Sequence, residues 1–139
     1  RNEAKSRGVE SRVTFLEGIS QEELVAEYNR AWTAVVPSLF EGFGLPALEA
    51  MACGTPLVCS DVGALREVAG DCALFAKPGD AGSLREAILA MEAPGLRERF
   101  SRAALGRARA EFSWERAAEK VEECYLQAME RQRKRGGRE

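Results

Sequence analysis

Histidine is absent from the 139 residues, which removes the commonest general base and imidazole metal ligand from this chain. Basic charge is also short. The 20 Lys and Arg are outnumbered by 22 Asp and Glu, giving a net charge of −2 and a pI near 5.4. Nucleic-acid binding calls for a basic face and a pI well above neutral, so nothing here speaks for that class. The one strongly basic stretch is Arg131 to Arg138, in a tail of about 131–139. It reads as the solvated end of a helix. No apolar run approaches the roughly 18 residues of a membrane span, and no signal peptide stands at the start. The four cysteines, Cys53, Cys59, Cys72 and Cys124, lack CxxC spacing. They fit reduced core cysteines of a cytoplasmic protein better than a disulfide frame or a zinc site. The chain opens on Arg1 rather than methionine, and more protein is expected before it.

What is present is an ordinary globular composition, 45% hydrophobic, at a length that suits one domain. Four short apolar or β-branched runs recur about twenty residues apart: Val13–Leu16, Thr33–Val36, Leu57–Cys59 and Ala73–Phe75. Helical stretches lie between them, each with start and stop signals. Ser20 and Glu23 form a capping box for a helix running through Tyr28 to Ala31. Pro46 suits the first turn of a helix ending near Cys53, with Gly54 as its left-handed stop. Asp80 caps a helix through Leu84, Ile88 and Met91. Beyond it, Pro94 begins one helix and Ser113 caps a long one carrying Val121, Tyr125 and Met129. Alternating strands and helices predict an α/β fold: a Rossmann-like parallel sheet of about four strands flanked by helices, with further helices at the C-terminus. Ala-Val-Val at 34–36 reads as a strand buried on both faces.

In such sheets ligands bind beyond the carboxyl ends of the strands. The loop after the second run is Pro37-Ser38-Leu39-Phe40-Glu41-Gly42-Phe43-Gly44, and Leu45-Pro46-Ala47-Leu48-Glu49 follows it. Its glycines let backbone approach a ligand, and the helix from Leu45 aims free amides and a positive dipole end at the same space, which suits a diphosphate. Glu41 in the loop and Glu49 a turn into the helix each offer two carboxylate oxygens, the acceptor pair that a sugar or ribose diol needs. Either glutamate alone would read as a solvated charge; the glycines and Pro46 between them favour function.

Glu41 and Glu49, with seven residues between them enclosing Gly-Phe-Gly-Leu-Pro, resemble the E-x7-E signature of the retaining GT-B glycosyltransferases, the group 1 or glycogen synthase-like family. Val13-Thr14-Phe15-Leu16-Glu17-Gly18, Ala52-Cys53-Gly54-Thr55-Pro56-Leu57-Val58, Asp61-Val62-Gly63 and Phe112-Ser113-Trp114-Glu115 extend the resemblance over most of the chain. The resemblance implies that 1–139 is a partial C-terminal, nucleotide-sugar-binding domain, with the acceptor bound by an absent N-terminal half. Glu49 would hold the nucleotide ribose and Glu41, the catalytic-site residue, the donor sugar. The amides of Phe43 and Gly44 would touch the sugar, Leu45 N–H the distal phosphate, and Leu16 and Gly18 would border the base. Gly42 completes the loop. The donor would be a UDP-, GDP- or ADP-sugar, with no further cofactor. No D-x-D triplet is present, and the family generally needs no metal.

The pattern is incomplete. The family's basic pair that neutralises the diphosphate lies in a missing region, and no residue here takes that role. The family's sheet order, 3-2-1-4-5-6, also leaves Val13–Leu16 without its usual neighbours. It must pair with Thr33–Val36, swap into another copy, or stay loose, so self-association and an inactive fragment are expected. The parent could touch a membrane surface, for which nothing else in the sequence speaks.

Two rivals remain. Gly42-Phe43-Gly44-Leu45-Pro46-Ala47 formally fits G-x-G-x-x-A, with Asp61 where a dinucleotide's ribose acid belongs, so an NAD(P)-binding domain is one. Against it, Ser38 to Glu41 separate strand from glycines, and Pro46 precedes the packing alanine. A non-catalytic nucleotide-binding module is the other, with a phosphorylase or epimerase as nearer relatives. Ser38, Thr55 and Asp61 are site neighbours or turn residues. Arg66 and Lys77 read as solvated, as do the arginines at 97, 99, 102, 107 and 109. Trp32 and Trp114 read as core or rim packing.

Overall fold

The structure, a computed structural model, describes residues 1–136, with side chains to residue 134. The last three residues of the basic tail, 137–139, lie outside the described residues. Element by element the chain runs α1 (Asn2–Ser6), a 3-10 turn (Glu10–Arg12), α2 (Gln21–Arg30), β1 (Ala34–Val36), α3 (Leu45–Ala52), β2 (Leu57–Ser60), α4 (Gly63–Ala69), β3 (Ala73–Ala76), α5 (Ala81–Ala90), α6 (Leu96–Glu111) and α7 (Trp114–Gly136). The sheet is parallel in the order β1-β2-β3, with Val35 opposite Val58 and Val58 opposite Leu74.

The local signals act as their chemistry demands. Ser20 Oγ accepts from Glu23 N–H at 3.2 Å while Glu23 Oε2 accepts from Ser20 N–H at 2.7 Å, closing the capping box of α2. Asp80 accepts from Ser83 N–H and starts α5, and Ser113 accepts from Arg116 N–H at the head of α7. Gly54, at φ +70°, ends α3 in a Schellman turn: its N–H reaches Met51 O and that of Thr55 reaches Ala50 O.

Only β2 is buried along its whole length. Leu57 and Cys59 face a core shared with Ala47, Ala50 and Met51 of α3, Leu65 and Val68 of α4, and Ala104 and Ala108 of α6. Val58 faces the opposite layer, where Met91, Leu84 and Ile88 meet Phe100 of α6. Helix α6 therefore touches both layers, its first turns on one and its last on the other.

Five expectations are corrected. The sheet has three strands, because Val13–Leu16 forms no ladder. A parallel strand needs a hydrogen-bonded neighbour, and this segment has none; Val13, Phe15 and Leu16 stand exposed, with Arg1 over the Phe15 ring and paired to Glu17. β1 is an edge strand whose middle residue, Val35, is exposed rather than buried on both faces. Trp114 is 89% exposed instead of packed, since nothing among the described residues covers the start of α7. Arg107 is no solvated charge. It lies across the end of α4, donating to Val68 O and Glu67 O at 2.9 and 2.8 Å, and so caps carbonyls that a helix end leaves unpaired. Arg97 likewise donates to Trp32 O and stacks over its ring. Helix α4 carries no side-chain cap, which is why the sequence signals do not mark it.

Burial sets the expected energetics. Met51 is fully buried between sheet and helices, so Met51→Ala should lose about 2–5 kcal/mol of stability. Trp114→Ala should stay within about 0.5 kcal/mol. Urea denaturation of both variants checks the contrast, and equal losses would mean that Trp114 is covered in solution.

Candidate functional site

The three parallel strands end on one side of the sheet, and three loops gather there: Pro37–Gly44 after β1, Asp61–Val62 after β2, and Lys77–Asp80 after β3. They touch. A Cβ on Gly79 would sit 3.5 Å from Leu39 Cδ2, and one on Gly44 only 2.7 Å from Leu65 Cδ2 of α4.

Gly44 is the pivot. It is the N-cap of α3 at φ +97°, a left-handed conformation that side-chain-bearing residues avoid, and it is buried against Leu65. The turn it permits swings the chain from the strand end into the helix. Pro46 has no N–H, and Ala47 and Leu48 both donate to Gly44 O. The amide of Leu45 is thus the donor that the first turn leaves at the helix mouth. Gly42 has open space around it and no positive φ, so its role needs no backbone exception.

Glu41 is half-buried in the loop and its Oε1 accepts from Ser38 Oγ at 2.6 Å. Glu49, also half-buried, lies in the second turn of α3, where its Oε2 accepts from Tyr28 Oη at 3.3 Å. Both glutamates are therefore held by a hydroxyl rather than left to swing in solvent. Phe43 is half-exposed and meets the Phe112 ring edge-on at 6.1 Å, which ties the loop to the end of α6. Beside it, Leu45, Leu48 and Glu49 line a shallow depression with Phe112 and Ser113.

Other sequence candidates are otherwise engaged. Asp61 is clasped by Arg66 through two bonds, at 2.5 and 2.7 Å, which hold its carboxyl below the usual carboxylate range. Arg66 in turn lies over Phe75. Thr55 is buried and donates to Tyr28 O, a structural task. Lys77 is exposed at the loop edge. Leu16 and Gly18 make no hydrogen bond or ring contact with the Glu41–Glu49 segment; Gly18, at φ +65°, turns the chain toward the α2 cap. Among the described residues no three of Asp, Glu, Cys and His gather where they could hold a metal. Tyr28 was not among the sequence candidates, since one tyrosine on a helix gives no signal of its partner. Burial first, then the Glu49 carboxylate, pushes its phenol up to about 12.

The model of the family described as "Glycosyl transferases group 1" matches residues 1–107. The chain belongs to that family. It is 40% identical over 114 residues to the O-antigen chain mannosyltransferase B of Escherichia coli, covering 81% of this chain and 30% of that protein. It is 36% identical over 141 aligned positions to the glycogen synthase of Mycobacterium tuberculosis, covering 99% of this chain and 33% of the relative. Among solved structures, the sucrose-phosphate synthase of Thermosynechococcus elongatus superposes with a TM-score of 0.81 at 36% identity, over 92% of this chain and 33% of that one. This group 1 chain thus spans about a third of the length of the relatives it matches. Its fold is part of one half of a GT-B architecture. Family membership favours the glycosyltransferase reading over the dinucleotide one, and Asp61, the acid that the latter needs, is paired with Arg66.

The Gly44 turn gives a direct test. Gly44→Ala should cost about 1–3 kcal/mol, because a side chain is forced into a left-handed backbone against Leu65. Gly42→Ala should change stability by under about 0.5 kcal/mol. Thermal melts of the two variants decide; a silent Gly44→Ala would mean that the turn is not rigid.

Proposed function

We propose that this chain is the donor-binding part of a glycosyltransferase whose full-length protein moves a glycosyl group from a nucleotide-diphospho-sugar to an acceptor with retention of configuration. The observation that carries the reading is the Glu41–Glu49 segment at the sheet's ligand-binding edge, with its Gly44 turn, in a group 1 chain. On this reading the two glutamates are the E-x7-E pair. Glu49 takes the ribose diol, Glu41 orients the donor sugar, the amides of Phe43 and Gly44 meet that sugar, and Leu45 N–H meets the distal phosphate. Leu16 and Gly18 border the base from the exposed segment ahead of α2. Catalysis is electrostatic. Donors aimed at the leaving phosphate as it gains charge are worth about 2.7–4 kcal/mol each in comparable oxyanion sites. No metal enters, and the phosphate's cationic partners come from outside this chain, as does the acceptor site. The four free cysteines suit a reducing compartment, and on that ground we assign the protein to the cytoplasm.

Calorimetric titration with UDP, GDP and ADP tests the donor site, with Glu49→Ala and NAD as controls. One diphosphate should bind at millimolar strength or better, and Glu49→Ala should abolish it. Preferential binding of NAD would overturn the reading in favour of a dinucleotide domain. For the full-length protein, the anomeric configuration of the product read by NMR decides retention against inversion.

The isolated chain also exposes the free edge of β1, the apolar run 13–16 and Trp114, Val121, Tyr125 and Met129 on α7. Uncovered edges and apolar faces of this kind invite association. Light scattering should show concentration-dependent oligomers of the isolated chain. A monodisperse monomer with a cooperative melt is the contrary result.

A further inference from the structure

A carboxylate that recognises a diol must present both oxygens in one plane, yet a glutamate side chain turns freely about its last bond. In this chain Tyr28 removes that freedom. Its hydroxyl lies 3.3 Å from Glu49 Oε2 and 3.3 Å from Pro46 O, so its one proton is shared between the helix backbone and the carboxylate. The ionised carboxylate is the stronger acceptor. Oε1 of Glu49 has no partner among the described residues, and Oε2 keeps a lone pair, which leaves room for two ligand hydroxyls side by side.

Tyr28 is itself held from both ends. The capping box of Ser20 and Glu23 anchors the start of α2. At its other end the buried Thr55 hydroxyl donates to Tyr28 O at 2.8 Å, from the residue just past the Schellman turn that closes α3. Helices α2 and α3 are thereby locked at two levels, through Tyr28 O below and Tyr28 Oη above. The carboxylate of Glu49 is referred to that frame rather than to solvent. A merely structural tyrosine could have satisfied its hydroxyl on Pro46 O alone; its contact with Glu49 is the added feature.

We propose that Tyr28 is a positioning residue of the nucleotide site, holding Glu49 Oε2 so that the carboxylate selects a ribose diol over a deoxyribose. The inference rests on the ribose role given to Glu49 above. Burial first, and then the Glu49 carboxylate, pushes the phenol up to about 12, so the hydroxyl is a donor at neutral pH.

The test uses the full-length protein and the nucleoside diphosphate, among UDP, GDP and ADP, that binds it. That ligand is compared with its 2′-deoxy and 3′-deoxy forms by calorimetry, in the wild type, Glu49→Gln and Tyr28→Phe. Wild type should prefer the ribose form about tenfold or more, and Glu49→Gln should erase the preference. Tyr28→Phe should cut it about three- to tenfold, the size of one ordinary net hydrogen bond, while affinity for the deoxy forms stays unchanged. Equal loss for ribose and deoxy forms, or no loss, overturns the Tyr28 inference alone. A wild-type preference that survives Glu49→Gln overturns the ribose role of Glu49, and Tyr28's role with it. Should Tyr28→Phe fail to fold, fluorotyrosine labelling replaces it. The fluorine resonance of Tyr28 should shift on adding the ribose form to wild type but not to Glu49→Gln, and a resonance indifferent to both refutes the proposal.

Discussion

The arrangement at the strand ends depends on one backbone turn. Gly44 takes φ +97° directly beneath Leu65, and only a residue without Cβ satisfies both demands at once. From that turn α3 leaves with its amide end at the sheet's edge, and Glu49 follows one turn later. Were the turn relaxed, Glu41 and Glu49 would lose their common frame. Ser38 and Phe112 support the same loop from either side, one through the Glu41 carboxylate and one through the Phe43 ring.

A second constraint works at the far end of α3. The Schellman turn at Gly54 delivers Thr55 into the core, and Thr55 ties back to α2. Arg107 then joins α6 to the end of α4. These are long-range bonds made by polar groups to backbone carbonyls near helix ends, and those of Arg107 meet carbonyls that the end of α4 leaves unpaired. The apolar core of β2, Met51 and Leu65 supplies cohesion. The polar ties supply register between the helices.

Most of the fold was legible because its signals are local. A capping box, an Asp or Ser cap and a left-handed glycine act within four residues, and Ser20, Asp80, Ser113 and Gly54 behave as their neighbours require. The run at 13–16 misled because a strand is not local: β-branched residues raise the propensity, and only a neighbouring strand makes the ladder. Arg107 shows the same limit on the surface, where its spacing with other arginines concealed a capping task. At the site, Glu41, Gly44 and Glu49 stood out by spacing. Tyr28 did not, being 21 residues from its carboxylate partner.

The amino-acid order by itself determined where most helices start and stop, which glycine-bearing segment carries the paired carboxylates, and what family the chain resembles. Each of these depends on contacts between residues a few positions apart, or on a motif of nine residues from Glu41 to Glu49. Tertiary structure decided which runs become strands, that Trp114 stays uncovered, which arginine is spent on a helix end, and which hydroxyl steadies each glutamate. Those outcomes depend on packing between distant segments, where geometry in three dimensions settles what spacing along the chain leaves open.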